Sequence, residues 1–482
     1  MKVLLTGATG YIAQRLLPEL LKDKHHVVCC VRDKGRFDLT RFENPDIEVI
    51  EVNFLEEATL QSIPEDIDIA FYLIHSMSTS IGDFQKMEAV SAENFKIRLN
   101  QTHVKQVIYL TGIVNEAHLS KHLASRKKVE EILSNGNFSL TALRAGIIVG
   151  SGSASFEIIR DLVEKLPVMI TPRWLNTKTQ PVAIRDIIAY LKGVINLPEA
   201  LGKSFDISSG VVLTYKEMLL RFAKVRGLKR KIIVLPVLTP RLSSYWLYFV
   251  TSTSYALAKN LVDSMKVEVI GKPNDLGKLL DIVPTSYEKA IELAFVKIET
   301  DQVMSSWKDA LTSQTLYKGV TAHLQVPSDG CFKDKRKRMT KNAEHTLDKI
   351  WRIGGSTGWY YGRWMWNARG FLDKLFGGVG LRRGRRNTTQ IFAGDTLDFW
   401  RVLIASRQER RLLLYAEMKL PGEAWLEFFI NESSELEQTA TFRPLGLKGR
   451  LYWYFVWPFH GFIFKGMLKE LCALKKTTHI PE

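Results

Sequence analysis

Cysteine is scarce, four in 482 residues. Cys29, Cys30, Cys331 and Cys472 form no Cys-x-x-Cys pair and no His/Cys cluster with ligand spacing, so no metal site is expected. A reducing, cytoplasmic setting is the default. Long hydrophobic runs are also missing. The longest uncharged apolar stretch of interest, residues 451–464 between Arg450 and Lys465, is too short to span a bilayer and contains Pro458 and His460. It reads either as a buried strand and helix or as a segment lying against a membrane surface. The first residues have the pattern of a strand rather than of a charged segment and a signal-type apolar run, so no export signal is expected. Acidic residues are in deficit, 51 against 67 Lys and Arg, for a formal charge of +16. That balance favours anionic partners such as nucleotide phosphates or acidic lipid head groups. With 46% hydrophobic and 24% charged residues the chain carries no signature of disorder, and its length calls for two or three domains.

What is present begins at residue 3. Val-Leu-Leu-Thr-Gly-Ala-Thr-Gly-Tyr-Ile-Ala is a short apolar run that breaks at Gly7 and Gly10 and resumes as an amphipathic helix. A strand, a tight turn and a helix start suit a dinucleotide: glycines let the backbone approach a diphosphate, and the helix amides face its charge. From residue 1 to about 150, expected strands (2–6, 26–31, 47–52, 67–75, 104–111, 139–149) alternate with helical patterns such as 11–21 and 84–100. Alternation of this kind predicts a Rossmann-type doubly wound parallel sheet in an α/β fold. Residue 32, after the second strand, is Arg, which suits the additional phosphate of NADP; Asp33 keeps NAD as the alternative.

Residues 151–300 read as a segment that completes the sheet and lines a substrate cleft, with 245–261 either a cleft wall or plain core. A polar, basic linker is expected over 301–335, with the run 333–338 as an edge strand pointing Lys and Arg outward. Beyond it, 336–482 changes period: residues 412–420, 425–431 and 436–442 alternate as an antiparallel meander, followed by a helical segment after Pro458. Trp351, Trp359, Tyr360, Tyr361, Trp364 and Trp366, interleaved with Arg352, Arg363 and Arg369, read as helix packing with Arg stems on rings. The cationic loop 381–386 lacks any accompanying nucleic-acid motif, so no nucleic acid is expected.

Thr6-Gly7-Ala8-Thr9-Gly10-Tyr11-Ile12, Tyr72-Leu73-Ile74-His75-Ser76-Met77, Leu143-Arg144-Ala145-Gly146 and Val182-Ala183-Ile184-Arg185-Asp186 resemble the atypical short-chain dehydrogenase/reductases of the NmrA-like type, which include relatives of the NADPH-binding complex I subunit. Gly358-Trp359-Tyr360-Tyr361, the loop 380–386, Ala416-Glu417-Met418-Lys419-Leu420-Pro421-Gly422 and Tyr452-Trp453-Tyr454 resemble the domain of unknown function that accompanies this module in bacteria, which is similar to helix-grip lipid-transfer and polyketide-cyclase proteins.

The resemblance implies NADP bound by Gly7, Thr9, Gly10, Tyr11, Ile12 and Arg32. Asn53 and Phe54 would lie at the adenine, and Ile74 and His75 beneath the nicotinamide ribose, although His75 fits a core histidine equally well. Thr111 stands where the family orients a substrate carbonyl. The family's Tyr-x-x-x-Lys pair is replaced by His122 and Arg126, so no catalytic residue is assigned. Arg126 could still hold a ribose or phosphate. The implied function is an NADPH-dependent oxidoreductase for an apolar carbonyl or quinone. The alternative is a non-catalytic NADPH-binding sensor or scaffold with a lipid-binding C-terminal domain, in the cytoplasm and with peripheral contact to an acidic membrane surface open.

Overall fold

The computed structural model describes residues 1–34, 37, 42, 44–74, 81–114, 121–235, 262–299, 326–327, 330–376, 378–380, 385, 387 and 389–473, without the side chains of 81–84, 121–122, 235 and 297–299. His75 and the segment 245–261 lie outside the described residues, as does most of the loop 381–386. The chain divides into two compact units, Met1–Ser313 and Gln314–Glu482.

In the first unit, β1 (Lys2–Leu5), α1 (Ala13–Lys22), β2 (His26–Val31), β3 (Ile47–Glu51), β4 (Ile69–Tyr72), α2 (Ile81–Leu99), β5 (Gln106–Gly112), α3 (Lys121–Ser134) and β6 (Ser139–Ala145) alternate as expected. Together with β9 (Ser204–Ile207), and before it β7 (Ile148–Val149) and β8 (Val182–Ala183), the chain supplies the strands that matter here. The main sheet has the order β9-β6-β5-β4-β1-β2-β3, and every pairing in it is parallel. Strand periodicity sorts the side chains into two layers. Val3 and Leu5 pack with Leu16, Leu17 and Leu20 of α1, whereas Leu4 packs with Phe95 of α2 and Leu133 of α3. Cys29 and Cys30 accordingly fall on opposite faces. The sheet order reverses between β1 and β4, which opens the crevice where doubly wound folds bind ligands.

The strand expected over 139–149 is broken in two. A Cβ on Gly146 would lie 2.2 Å from the Gln180 carbonyl oxygen, so the backbone turns there and β7 leaves the main sheet to pair with β8. Residues beyond, opening with α4 (Ala154–Lys165), build a separate core in which the rings of Phe156, Phe222 and Phe295 lie 5.6 to 5.7 Å apart.

The second unit is a six-stranded antiparallel sheet. Its strands are β10 (Phe332–Met339), β11 (Thr396–Leu397), β12 (Trp400–Ser406), β13 (Arg411–Ala416), β14 (Gly422–Ile430) and β15 (Glu435–Pro444), in the order β10-β15-β14-β13-β12-β11. Helices α5 (Ala343–Ile350) and α6 (Arg363–Leu375) come between the first two strands, and α7 (Gly446–Leu471) follows the last. This is the helix-grip order of elements. The basic run lies within β10, an edge strand whose Lys335 and Lys337 pair with Glu437 of β15. The aromatic residues of 351–366 are mostly core: Trp359 stacks on Trp366 at 4.8 Å, and Arg407 lies over Trp351. Trp364 is the exception, at 69% exposure.

The helix after the meander corrects the sequence expectation, because it starts at Gly446 and runs through Pro458 rather than following it. A proline deprives the carbonyl four residues back of its N–H partner. That residue is the exposed Tyr454, where water can take the place of the amide. Two residues past the proline, the His460 ring lies against Phe464 at 4.7 Å and edge-on to Trp453, with a buried Nδ1 that has no hydrogen-bond partner among the described residues.

Burial pushes the His460 pKa down to about 4, with Asp334 opposing and Arg336 reinforcing the shift. A depressed pKa means that neutral His460 stabilises the fold above about pH 6.5 and that this contribution is lost as pH falls toward 4. We expect the second unit to lose about 2 kcal/mol from this group across that window, at ~1.4 kcal/mol per pH unit reduced for partial exposure. Urea midpoints followed by tryptophan fluorescence at neutral and acid pH test it. His460→Gln should flatten the dependence, and an unchanged slope would refute the assignment.

Candidate functional site

The crevice is built by the turn between β1 and α1. Gly7 has φ +61°, and a Cβ there would press to 3.0 Å from the Leu73 carbonyl oxygen just past β4. A Cβ on Gly10 would meet the Gly7 oxygen at 2.9 Å, the same oxygen that accepts the Gly10 amide at 2.7 Å. Both positions therefore need glycine, and their bare backbone leaves room for a phosphate to approach. The turn is held from beneath. The Thr6 hydroxyl donates to the Phe71 carbonyl at 2.9 Å and accepts the Leu73 amide at 3.0 Å, tying β1 to β4, while Gln14 Nε2 donates to the Ala8 carbonyl. Helix α1 begins at Ala13 after Ile12, whose side chain makes no cap, and its Gln14 and Arg15 amides are taken by the Gly10 and Ile12 carbonyls, so a phosphate would be met by the turn ahead of them. This is a cradle that fits a dinucleotide diphosphate.

Behind the cradle, Tyr11 and Arg15 are tied to the segment after β7. Arg15 donates to the Ser151 carbonyl at 2.6 Å and lies 4.7 Å above the Tyr11 ring. Burial lifts the Tyr11 pKa to about 12, which keeps its hydroxyl protonated. The side chain of Tyr11 thus serves the wall of the turn, while Thr9, Gly10 and Ile12 stay at least partly exposed.

At the end of β2 the two candidate residues separate. Asp33 is buried, at 3% exposure, whereas Arg32 is half-buried. Among the described residues the Arg32 guanidinium has no hydrogen bond and no ion pair, and burial pushes its pKa down, opposed only by the phenolic oxygen of Tyr72. A cation held this way is poised for an anion.

After β3, the Asn53 side chain donates to Glu56 at 2.6 Å and accepts the Leu55 amide, and the Phe54 ring is buried 5.8 Å from Phe95. Both side chains serve the local turn and core, so an adenine there would meet main chain. Ile74 lies directly behind Gly7, its amide nitrogen 3.7 Å from the position a Gly7 Cβ would take.

Thr111 sits at the end of β5 with a buried hydroxyl that lacks a partner of normal geometry among the described residues. Beside it is a network that the linear pattern did not reveal. Ser125 of α3 donates to the buried Glu88 carboxylate of α2 at 2.7 Å, and Arg126 donates to the Leu110 carbonyl at 3.3 Å. The Tyr109 hydroxyl donates to the Arg126 carbonyl, and the Tyr109 ring meets Tyr72 edge-on at 5.7 Å. The signal for Glu88 was its place on the stripe 88, 92, 95, 99, where a carboxylate interrupts buried apolar positions. Burial raises the pKa values of Tyr72 and Tyr109, away from the range in which a tyrosine exchanges protons near neutrality. Of His122, only its place in the first turn of α3 is described.

Residues 7–163 match the family described as NAD(P)H-binding, and residues 328–467 match the one described as Protein of unknown function (DUF2867). Divinyl chlorophyllide a 8-vinyl-reductase, chloroplastic, of Arabidopsis thaliana is 21% identical over 255 residues, 49% of this chain and 60% of the relative. The match therefore spans less than two thirds of that protein. Among solved structures, a nucleoside-diphosphate-sugar epimerase of Staphylococcus aureus is 16% identical with a TM-score of 0.50, over 61% of this chain and 100% of its own. The NADPH-dependent quinone oxidoreductase of Escherichia coli, complexed with NADPH, is 19% identical with a TM-score of 0.50, over 61% and 99%. At these identities the likeness is one of fold: a doubly wound domain, of which residues 7–163 match the NAD(P)H-binding model, joined to a second domain.

Proposed function

We propose that this NAD(P)H-binding domain selects NADPH and that the protein is a reductase of an apolar carbonyl or quinone. The observation that carries the cofactor preference is Arg32, a half-buried guanidinium with no hydrogen bond or ion pair among the described residues, at the strand end where the nucleotide's second ribose lies in this fold. NADPH would supply the hydride. The chain's own residues would receive the diphosphate at Gly7 and Gly10, hold the 2′-phosphate at Arg32 and present the Thr111 hydroxyl to the reacting end. Of the compared proteins one is an 8-vinyl-reductase and another an NADPH-dependent quinone oxidoreductase crystallised with NADPH.

A second reading has its own support. The family resemblance sets His122 and Arg126 at the positions of its Tyr and Lys, and the Arg126 guanidinium is engaged with the Leu110 carbonyl inside the protein. A nucleotide-binding sensor or scaffold needs no proton donor. The two readings part in one experiment: NADPH oxidation over a panel of quinones and apolar aldehydes, with binding followed by nucleotide fluorescence in the same samples. A reductase should turn over at least one substrate and lose most of that turnover, about 10- to 1000-fold, in Thr111→Val without a matching loss of NADPH affinity. Tight binding with no turnover on any substrate would instead establish the sensor.

A further inference from the structure

Helix α7 is apolar on two sides. One side is core: Trp453, Phe464, Met467, Leu468 and Leu471 are buried, and all but Trp453 join the main cluster under the sheet. The other side is an exposed stripe. Leu447, Leu451, Tyr454, Phe455, Phe459 and Phe462 are 50 to 73% exposed and recur at helical spacing, with Pro458 among them. A helix apolar all round is ordinarily enclosed.

Helix α6 and the residue that caps it repeat the pattern, since Trp364, Phe371, Leu372, Leu375 and the cap Phe376 are 48 to 72% exposed. The two helices meet where the Tyr361 ring packs on Phe462 at 5.2 Å and Gly362 faces Ile463. Monomeric proteins rarely display so many large apolar side chains together.

Charge decides what could cover them. Over residues 314–482, Lys and Arg number 28 against 16 Asp and Glu, so this unit holds most of the chain's excess. Lys448 and Arg450 flank the stripe near one end of α7, and Lys465 and Lys469 continue its line at the other. Aromatic and leucine side chains bordered by lysine and arginine match the boundary of an anionic bilayer, where rings enter the head-group region and cations meet lipid phosphates. No helix among the described residues is long and apolar enough to cross a membrane. We propose that the exposed faces of α7 and α6 form a peripheral docking surface for an anionic lipid bilayer, with both helices lying in the plane of the interface.

The test is flotation of the full chain with phosphatidylcholine vesicles containing about 30% phosphatidylglycerol, against pure phosphatidylcholine. Binding should require the anionic lipid, weaken with salt, and fall about tenfold or more in Phe455→Glu/Phe459→Glu. Lys448→Glu/Arg450→Glu should weaken it while leaving the apolar face intact, and near-ultraviolet circular dichroism should show that both variants keep the native fold. Failure of the folded wild-type chain to float, or flotation indifferent to these substitutions, would overturn the proposal. So would a stable dimer in sedimentation that the same glutamates dissociate, since a second copy would then be the occupant. Protection of these side chains from oxidative footprinting in the free chain would overturn it likewise, by showing that the protein covers its own stripe.

Discussion

Arg32→Ala is expected to weaken NADPH binding by about 10- to 100-fold, the worth of one or two charge-assisted hydrogen bonds to a phosphate, ~1.5–3 kcal/mol. NADH binding should change far less, because the lost partner is the 2′-phosphate and the diphosphate cradle at Gly7 and Gly10 is untouched. Since burial already disfavours the charge on Arg32, removal of the guanidinium should not destabilise the free protein, and its melting temperature without nucleotide should hold. Fluorescence titration of both nucleotides against wild type and variant measures the ratio. Equal losses for NADPH and NADH would remove Arg32 from the cofactor preference. Arg32→Lys should recover only part of the affinity, because an ammonium cannot make the bidentate contact.

The largest stability effect is expected in the second unit, at a buried ion pair. Arg401 of β12 and Glu417, one residue past β13, both have fully buried side chains. Arg401 Nε and Nη2 donate to the two carboxylate oxygens at 3.1 Å each, and Nη1 donates to the Gly394 carbonyl at 2.7 Å. Glu417→Leu strands a guanidinium in the core and should cost about 3–5 kcal/mol. Arg401→Met/Glu417→Leu removes both charges and should regain most of that loss, because desolvation of the pair offsets much of its attraction. Urea unfolding followed through the Trp359, Trp366 and Trp400 cluster reports on this unit. A single variant that unfolds at the wild-type midpoint would show that the pair is not buried as described.

Legibility followed distance along the chain. The turn at residues 6–12 was readable because its strand, glycines and helix are contiguous, and each glycine has a local reason to be glycine. The alternation of residues 412–442 likewise announced a meander, since neighbouring antiparallel strands need only short turns. The Glu88, Ser125 and Arg126 network was not readable, because its parts come from two helices and the end of a strand between them. The break at Gly146 depends on the Gln180 carbonyl, a contact across 34 positions that no local pattern encodes.

By itself the sequence determined what short-range physics can determine: the doubly wound order of elements, the phosphate cradle, the arginine after the second strand and the antiparallel character of the C-terminal sheet. Tertiary structure alone decided which of two adjacent residues, Arg32 or Asp33, is left facing outward, since that depends on what packs against the strand end. It also decided that α7 passes through Pro458, buries one apolar face and leaves the other bare. Periodicity states that a helix has apolar sides, but the neighbours that cover a side come from remote parts of the chain, and only the folded protein shows which side they reach.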